Sequence, residues 1–422
     1  MLQSFALQTF ASIIAESASM NQKAGSTPSH DAASLLATAR RIRPLLDRMG
    51  PINEAKGELS REVVDALHQS GLFGMFLPKV LGGAEVTPTQ GLDLLEEVSY
   101  ADGSTGWVLM AAALSIGTGG SYLDEKEVRR IFSLDRCPVI AGHGAPVGKA
   151  RRVPGGFMLS GQWSYGSGVK HSDHIHSGGL VCNDNGEPVL GADGLPEIRI
   201  FVVPREAFVY GDNWDVMGLR ATGSIDYSCK DVFVPAGATH LTGCTTPQRG
   251  GPLFMLGIRG MSTICHTGFT LGVGRRMLDE LAAIAKVKKG RFGALGEGES
   301  FLENFGAAEA KFRAARAFAH ETWRGIEETL YQGKPLSTRQ GTLHRLSLNH
   351  ITWTTADIAR FTYYAAGGNS LRESTLQRFF RDMHGATQHA TSSPPIIRDC
   401  GRELAGLATG KVWGFTTLMD AL

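Results

Sequence analysis

The segment WSYGSG (163–168) sets Ser167 between two glycines in a strand-like run, so that backbone and hydroxyl can come close to a flat ligand. The same residues could form a β-bulge with a solvent-facing serine. A second turn, Trp214 to Ser224, holds Arg220, Thr222 and Ser224 around Gly218 and Gly223. A guanidinium beside hydroxyls suits a phosphate or the polar edge of a ring, and could equally cap a hairpin. Trp107 offers a rigid apolar wall with one N–H donor, which fits either a ligand edge or core packing. In RDMHGATQH, Arg381 and Asp382 read as an ion pair or a cap. His384 and His389 are five apart, so a helix would put them on different faces and disfavour a shared metal.

Other signals are weaker. HSDHIH (171–176) places His174 and His176 on one strand face, but no third metal ligand is evident and surface histidines are the commoner case; no metal site is expected. KVKKGR (286–291) is basic, and six residues at a helix end suit the helix dipole better than nucleic acid. GVG (272–274) lies inside a helical pattern with no preceding strand, so it marks close helix packing rather than a dinucleotide site.

Three compositional zones must position these residues. From about Asp31 to Cys137 apolar residues recur at helical spacing, as in SREVVDALHQSGLFGMFL, and STGWVLMAAALSIGTG is uncharged enough to be buried all round. From Pro138 to Gly250 the period shortens, and β-rich runs are closed by Pro, Gly and Asn/Asp turns with no helices between them. That predicts a small antiparallel sheet domain, barrel- or sandwich-like. From Gly251 to Leu422 three long helices return, followed by a fourth over Ser374 to Leu407, as in a four-helix bundle able to bury a face against another subunit. Residues 1–30 read as a flexible leader without a basic n-region, and Met20 is a possible natural start.

Bulk properties exclude several classes. With 422 residues, 42% hydrophobic and a net charge of +1, nothing points to nucleic acid or an anionic membrane. The six scattered cysteines contain no CxxC pair, which fits a reducing cytoplasm.

The order helical domain, β domain, helical bundle resembles the acyl-CoA dehydrogenase superfamily, an α+β fold. The segments that carry the resemblance are GSTGWVL (103–109), SGQWSYGSGVKHSD (160–173), DNWDVMGLRATGS (212–224) with DVFVP (231–235), and LQRFFRDMHGATQH (376–389). In detail they look closest to the group D two-component flavin monooxygenases, such as the oxygenase component of 4-hydroxyphenylacetate 3-hydroxylase. The resemblance implies reduced flavin (FMNH2 or FADH2) and O2 reacting through a C4a-hydroperoxyflavin. It further implies a small-molecule substrate, a separate NAD(P)H:flavin reductase and a homotetramer. It assigns Ser167 and His389 to the reactive flavin edge, Trp107 to its pocket wall, and Arg220, Thr222 and Ser224 to flavin contacts. Arg291 falls where the superfamily grips the flavin phosphate, often across a subunit boundary.

Two departures narrow this. The glutamate that serves as base in acyl-CoA dehydrogenation would fall at Ala390, or in its alternative position at about Ser262, and neither is acidic. A flavin dehydrogenase acting on acyl thioesters is therefore the runner-up, with a catalytically silent scaffold as a third reading. The substrate-facing histidine of the phenol hydroxylases would fall at Ser115, which leaves another aromatic, or a nitrogen or sulfur nucleophile, open as substrate.

Overall fold

The computed structural model describes residues 31–133, 136–191, 194–290 and 293–420. The leader assigned to residues 1–30 and Arg291 both lie outside them. The chain begins with helices α1 (Ala32–Lys56), α2 (Arg61–Gln69), α3 (Pro88–Ala101), α4 (Gly103–Tyr122) and α5 (Glu125–Ile131). α4 is buried along nearly its whole length. With no charged side chain to keep in water, every face of it can pack.

One seven-stranded sheet follows: β1 (Ile140–Val153), β2 (Gly156–Trp163), β3 (His174–Cys182), β4 (Ile198–Pro204), β5 (Val209–Tyr210), β6 (Tyr227–Pro235) and β7 (Thr239–Leu241), in the order β5-β6-β2-β1-β3-β4-β7. The sheet is mostly antiparallel, but β1 and β3 run parallel, which the sequence did not suggest. The element that carries the chain back is strand β2 and a short 3-10 turn rather than a helix, so no change of hydrophobic period reveals the crossover. β1 shifts register between His143 and Gly148. There Gly178 of β3 lies under the bulge, where an added Cβ would sit 2.1 Å from the Gly144 carbonyl oxygen. Gly178→Ala must push the two backbones apart and should destabilise the fold by about 1–3 kcal/mol, measured as the shift of the urea unfolding midpoint at unchanged slope.

The last part holds α6 (Gly257–Val287), a two-stranded ribbon of β8 (Lys289–Gly290) and β9 (Gly293–Ala294), α7 (Glu299–Tyr331), α8 (Thr338–Ala366), the single turn α9 (Gly368–Leu371), α10 (Thr375–Ala386) and α11 (Pro394–Leu404). A hairpin of β10 (Lys411–Trp413) and β11 (Leu418–Asp420) ends the described chain. α6 packs on α3 through Gly272, where a Cβ would lie 2.3 Å from the Glu96 carbonyl oxygen. The single helix expected over Ser374 to Leu407 is instead two. α10 ends at Ala386, a 3-10 turn covers Ala390–Ser392, and Pro394 opens α11. Proline lacks the N–H that a continuous helix needs and is at home in a first turn. His389 therefore sits in the break, not on a helix face.

Candidate active site

The break between α10 and α11, the buried helix α4, the first half of α6 and the loops flanking β2 and β6 converge. Trp107 comes from the second turn of α4, whose N-terminus is capped by Asp102 accepting from the Thr105 N–H at 2.9 Å. Ser167 follows β2 in the loop before a 3-10 turn, not within a strand. The Trp107 indole N–H donates to Ser167 Oγ at 3.0 Å. Ser167 Oγ and Ser224 Oγ are 2.7 Å apart, as are Ser224 Oγ and Thr222 Oγ1. Thr222 Oγ1 donates to the Leu219 carbonyl at 2.7 Å.

Each hydroxyl has one proton, so the ends of this chain set its direction. A carbonyl can only accept, which commits the Thr222 proton. Ser224 must then donate to Thr222, and Ser167 to Ser224. Ser167 accepts from Trp107 and keeps one lone pair over. The cluster thus presents an acceptor to any ligand that reaches it.

His389 is the N-cap of its 3-10 turn. Its Nδ1 accepts from the Thr391 backbone N–H at 3.3 Å and lies 2.8 Å from Thr391 Oγ1. Nδ1 is therefore the lone-pair nitrogen of the neutral ring, and the proton resides on Nε2. Burial, with His143 nearby, pushes the His389 imidazole down to about 4, so it is neutral at physiological pH. Its ring lies 4.0 Å from that of His266 and 6.0 Å from that of Trp107, centroid to centroid. His266 is also held neutral, by burial and then by His389.

The structure thus brings together Trp107, Ser167, Ser224, Thr222 and His389. Arg220 is not in the cluster: it starts a 3-10 turn and its side chain is exposed. Ser115 is buried two turns beyond Trp107, and its hydroxyl donates to the Ala111 carbonyl at 2.9 Å. Arg381 and Asp382 do not pair with each other. Arg381 bonds Glu54 and donates to the Met217 carbonyl, while Asp382 accepts from the Leu219 N–H at 2.6 Å. Both hold the 217–224 loop that carries Thr222 and Ser224. His176, expected at the surface, is buried and pushed down to about 3 by desolvation, with His240 and His143 adding to it.

Sequence reasoning missed His266, His143, Thr391, Arg259 and Arg345. Arg259, Thr263 and His266 share one face of α6, at a spacing of four and then three residues. Arg259 and His266 are the only basic residues in the first half of this helix, and their spacing with Thr263 was the available signal. Arg259, Ser262, Thr263, Arg345, Thr391 and Phe415 line a narrow cavity beside His389. Among the described residues neither arginine has a carboxylate partner, and Nε of Arg259 is buried without any hydrogen-bond partner. Burial, then the neighbouring Arg259, pushes Arg345 down to about 10.

This donor set fits a flavin. Reduced isoalloxazine carries ring N–H groups that the free Ser167 lone pair can take, and its carbonyl and nitrogen edge can take the His389 Nε2–H. Trp107 supplies a flat wall.

The comparisons agree. The acyl-CoA dehydrogenase N-terminal domain model matches residues 36–123, and the C-terminal domain model matches 264–394. The chain is 31% identical to indole-3-acetate monooxygenase of Pseudomonas putida, over 89% of this chain and 95% of that one. It is 27% identical to the flavin-dependent monooxygenase oxygenase subunit HsaA of Mycobacterium tuberculosis, over 86% and 93%. Among solved structures it is similar to XiaF from a Streptomyces species in complex with FADH2 and glycerol, with a TM-score of 0.80, 22% identity and coverage of 89% and 96%. By family models at both ends and by identity along most of its length, the chain belongs to the flavin-dependent monooxygenases, oxidoreductases built on the acyl-CoA dehydrogenase fold.

Proposed function

We propose that the protein is the oxygenase component of a two-component system that inserts one oxygen atom into a small aromatic acid. A separate NAD(P)H:flavin reductase would supply reduced flavin, FMNH2 or FADH2. When bound, that flavin supplies the two electrons with which O2 is split between product and water. The chain's own residues do the rest. Trp107 and the Ser167–Ser224–Thr222 relay orient the ring and offer an acceptor. His389 donates from Nε2 and, being neutral, does not bring a charge into the pocket. Neutral histidines and apolar walls keep water away from the reactive edge.

The observation that carries the acid reading is a pair of arginines without carboxylate partners among the described residues, Arg345 buried and Arg259 half-buried with its Nε enclosed and unbonded. Unpaired cations in a cavity are costly unless an anion completes them. Thr391 touches both this cavity and His389, and Arg259 lies about 10 Å along α6 from His266, so a ring at His389 could place its acid group at Arg259. Indole-3-acetate, the substrate in the relative's name, is such an acid. Arg259→Met should weaken binding of indole-3-acetate about 10- to 100-fold and leave the neutral indole-3-acetamide unchanged, as measured by calorimetry on flavin-free protein. Equal losses for both ligands would remove the acid reading.

Quaternary structure belongs to the same proposal. A broad groove on the outer faces of α7 and α8 carries Phe301, Trp353, Phe361 and Tyr364, and supports a homotetramer in which such faces are covered. No helix among the described residues is long and apolar enough to cross a membrane. All six cysteines are free, which supports a reducing compartment such as the cytoplasm.

A further inference from the structure

The acid end of the cavity is closed by a part of the chain that begins 25 positions beyond His389. Gly414 to Thr417 form the turn between β10 and β11, closed by the Gly414 N–H donating to the Thr417 carbonyl at 2.9 Å. Two three-residue strands cannot hold such a hairpin by themselves. It is docked by other contacts. Arg345 donates to the Gly414 carbonyl at 3.1 Å and lies 4.5 Å over the Trp413 ring. Trp413 donates to Thr342 Oγ1 at 2.8 Å, and the Leu418 N–H donates to the buried Asp399 carboxylate at 2.9 Å.

These anchors present the two central turn residues to the cavity. The Phe415 ring sits 5.5 Å from the Arg259 guanidinium, and Thr416 lines the wall beside it. Phe415 is 50% exposed. A large apolar side chain left half in water, and set on a cation, adds little to the core; its position instead limits how far a ligand's acid arm can extend past Arg259. Thr416 brings a hydroxyl donor to the same end.

We propose that Phe415 and Thr416 form the specificity wall of the substrate site, setting the permitted length of the arm between the oxidised ring and its acid group. This rests on the acid reading above. The physical effect is steric: an arm that is too long must displace the Phe415 ring from Arg259, or leave the carboxylate short of both guanidiniums. Discrimination of one methylene in an enclosed pocket runs to about 10–200-fold.

The test uses flavin-free full-length protein, with indole-3-acetate and indole-3-butyrate as probes and calorimetric Kd as the readout. Wild-type protein should prefer the acetate at least ~10-fold. Phe415→Ala should bring the two within about threefold by improving the butyrate, and Phe415→Trp should widen the gap. Hydrogen exchange over residues 411–420 establishes that the hairpin stays docked in each variant. An unchanged ratio in both variants with a docked hairpin overturns the proposal. If Arg259→Met abolishes the preference for acid over amide in that case, the acid reading stands and only the wall is lost. A wild-type protein with no preference for acid over amide overturns both.

Discussion

His389→Asn will leave the protein folded and lower the yield of oxygenated product per reduced flavin by about 10- to 100-fold, with hydrogen peroxide appearing in its place. Asparagine is a good N-cap, so its side-chain oxygen can take over acceptance from the Thr391 N–H and preserve the turn between α10 and α11. What it cannot do is place a donor where Nε2 stands. The variant thus separates the histidine's structural part from its chemical one. Since burial and His143 push His389 down to about 4, the yield advantage of wild type over His389→Asn should be level from about pH 5 to 8 and shrink only toward pH 4, as the ring gains its second proton and Nδ1 can no longer accept. Product and peroxide are quantified together after mixing protein, reduced flavin, substrate and O2. A product yield in His389→Asn equal to wild type would show that the Nε2 donor is dispensable.

The second large effect concerns stability. Asp382 is fully enclosed, accepts from the Leu219 N–H, and lies near both Asp102 and Arg378. Arg378 approaches Asp102 to 3.6 Å, while Asp382 feels that guanidinium only at longer range. Burial, then Asp102, pushes the Asp382 carboxyl from an ordinary 3.8 up to about 7. Between those values the folded protein holds a proton that the unfolded chain has released. The contribution of Asp382 to stability therefore falls as pH rises from about 4 to 7 and is level above. Asp382→Asn keeps an acceptor for Leu219 and removes the titration. Relative to wild type it should gain stability steadily across that window, by at most ~4 kcal/mol. Urea unfolding at pH 4.5, 6 and 8 reads the difference, and a constant offset between the two proteins would mean that Asp382 is ionised throughout. The consequence reaches the site, because Asp382 holds the loop whose Thr222 and Ser224 direct the hydroxyl relay.

Much of this was legible along the chain. Trp107 and Ser167 were readable because uncharged helices and glycine-flanked serines are local signals. The three zones followed from changes of hydrophobic period. Their roles were not readable from single residues; the resemblance supplied those. The break at Thr387–Ser393 was missed although Pro394 announces it, because the apolar spacing on either side continues in helical phase. Arg220 looked equivalent to its neighbours, yet it points to solvent while Thr222 turns inward, a difference of two positions within one 3-10 turn that no composition encodes.

The sequence by itself determined the family and most of the elements, since periodicity, caps and motif order are properties of short stretches read in succession. Only the tertiary structure decided the direction of the relay, the tautomer of His389 and the pairing of Arg259 with Arg345. Each depends on groups 2 to 86 positions apart in sequence being brought together. The proton direction in the relay follows from what lies at its two ends, the Trp107 donor and the Leu219 carbonyl, which are 112 positions apart and joined only through the fold.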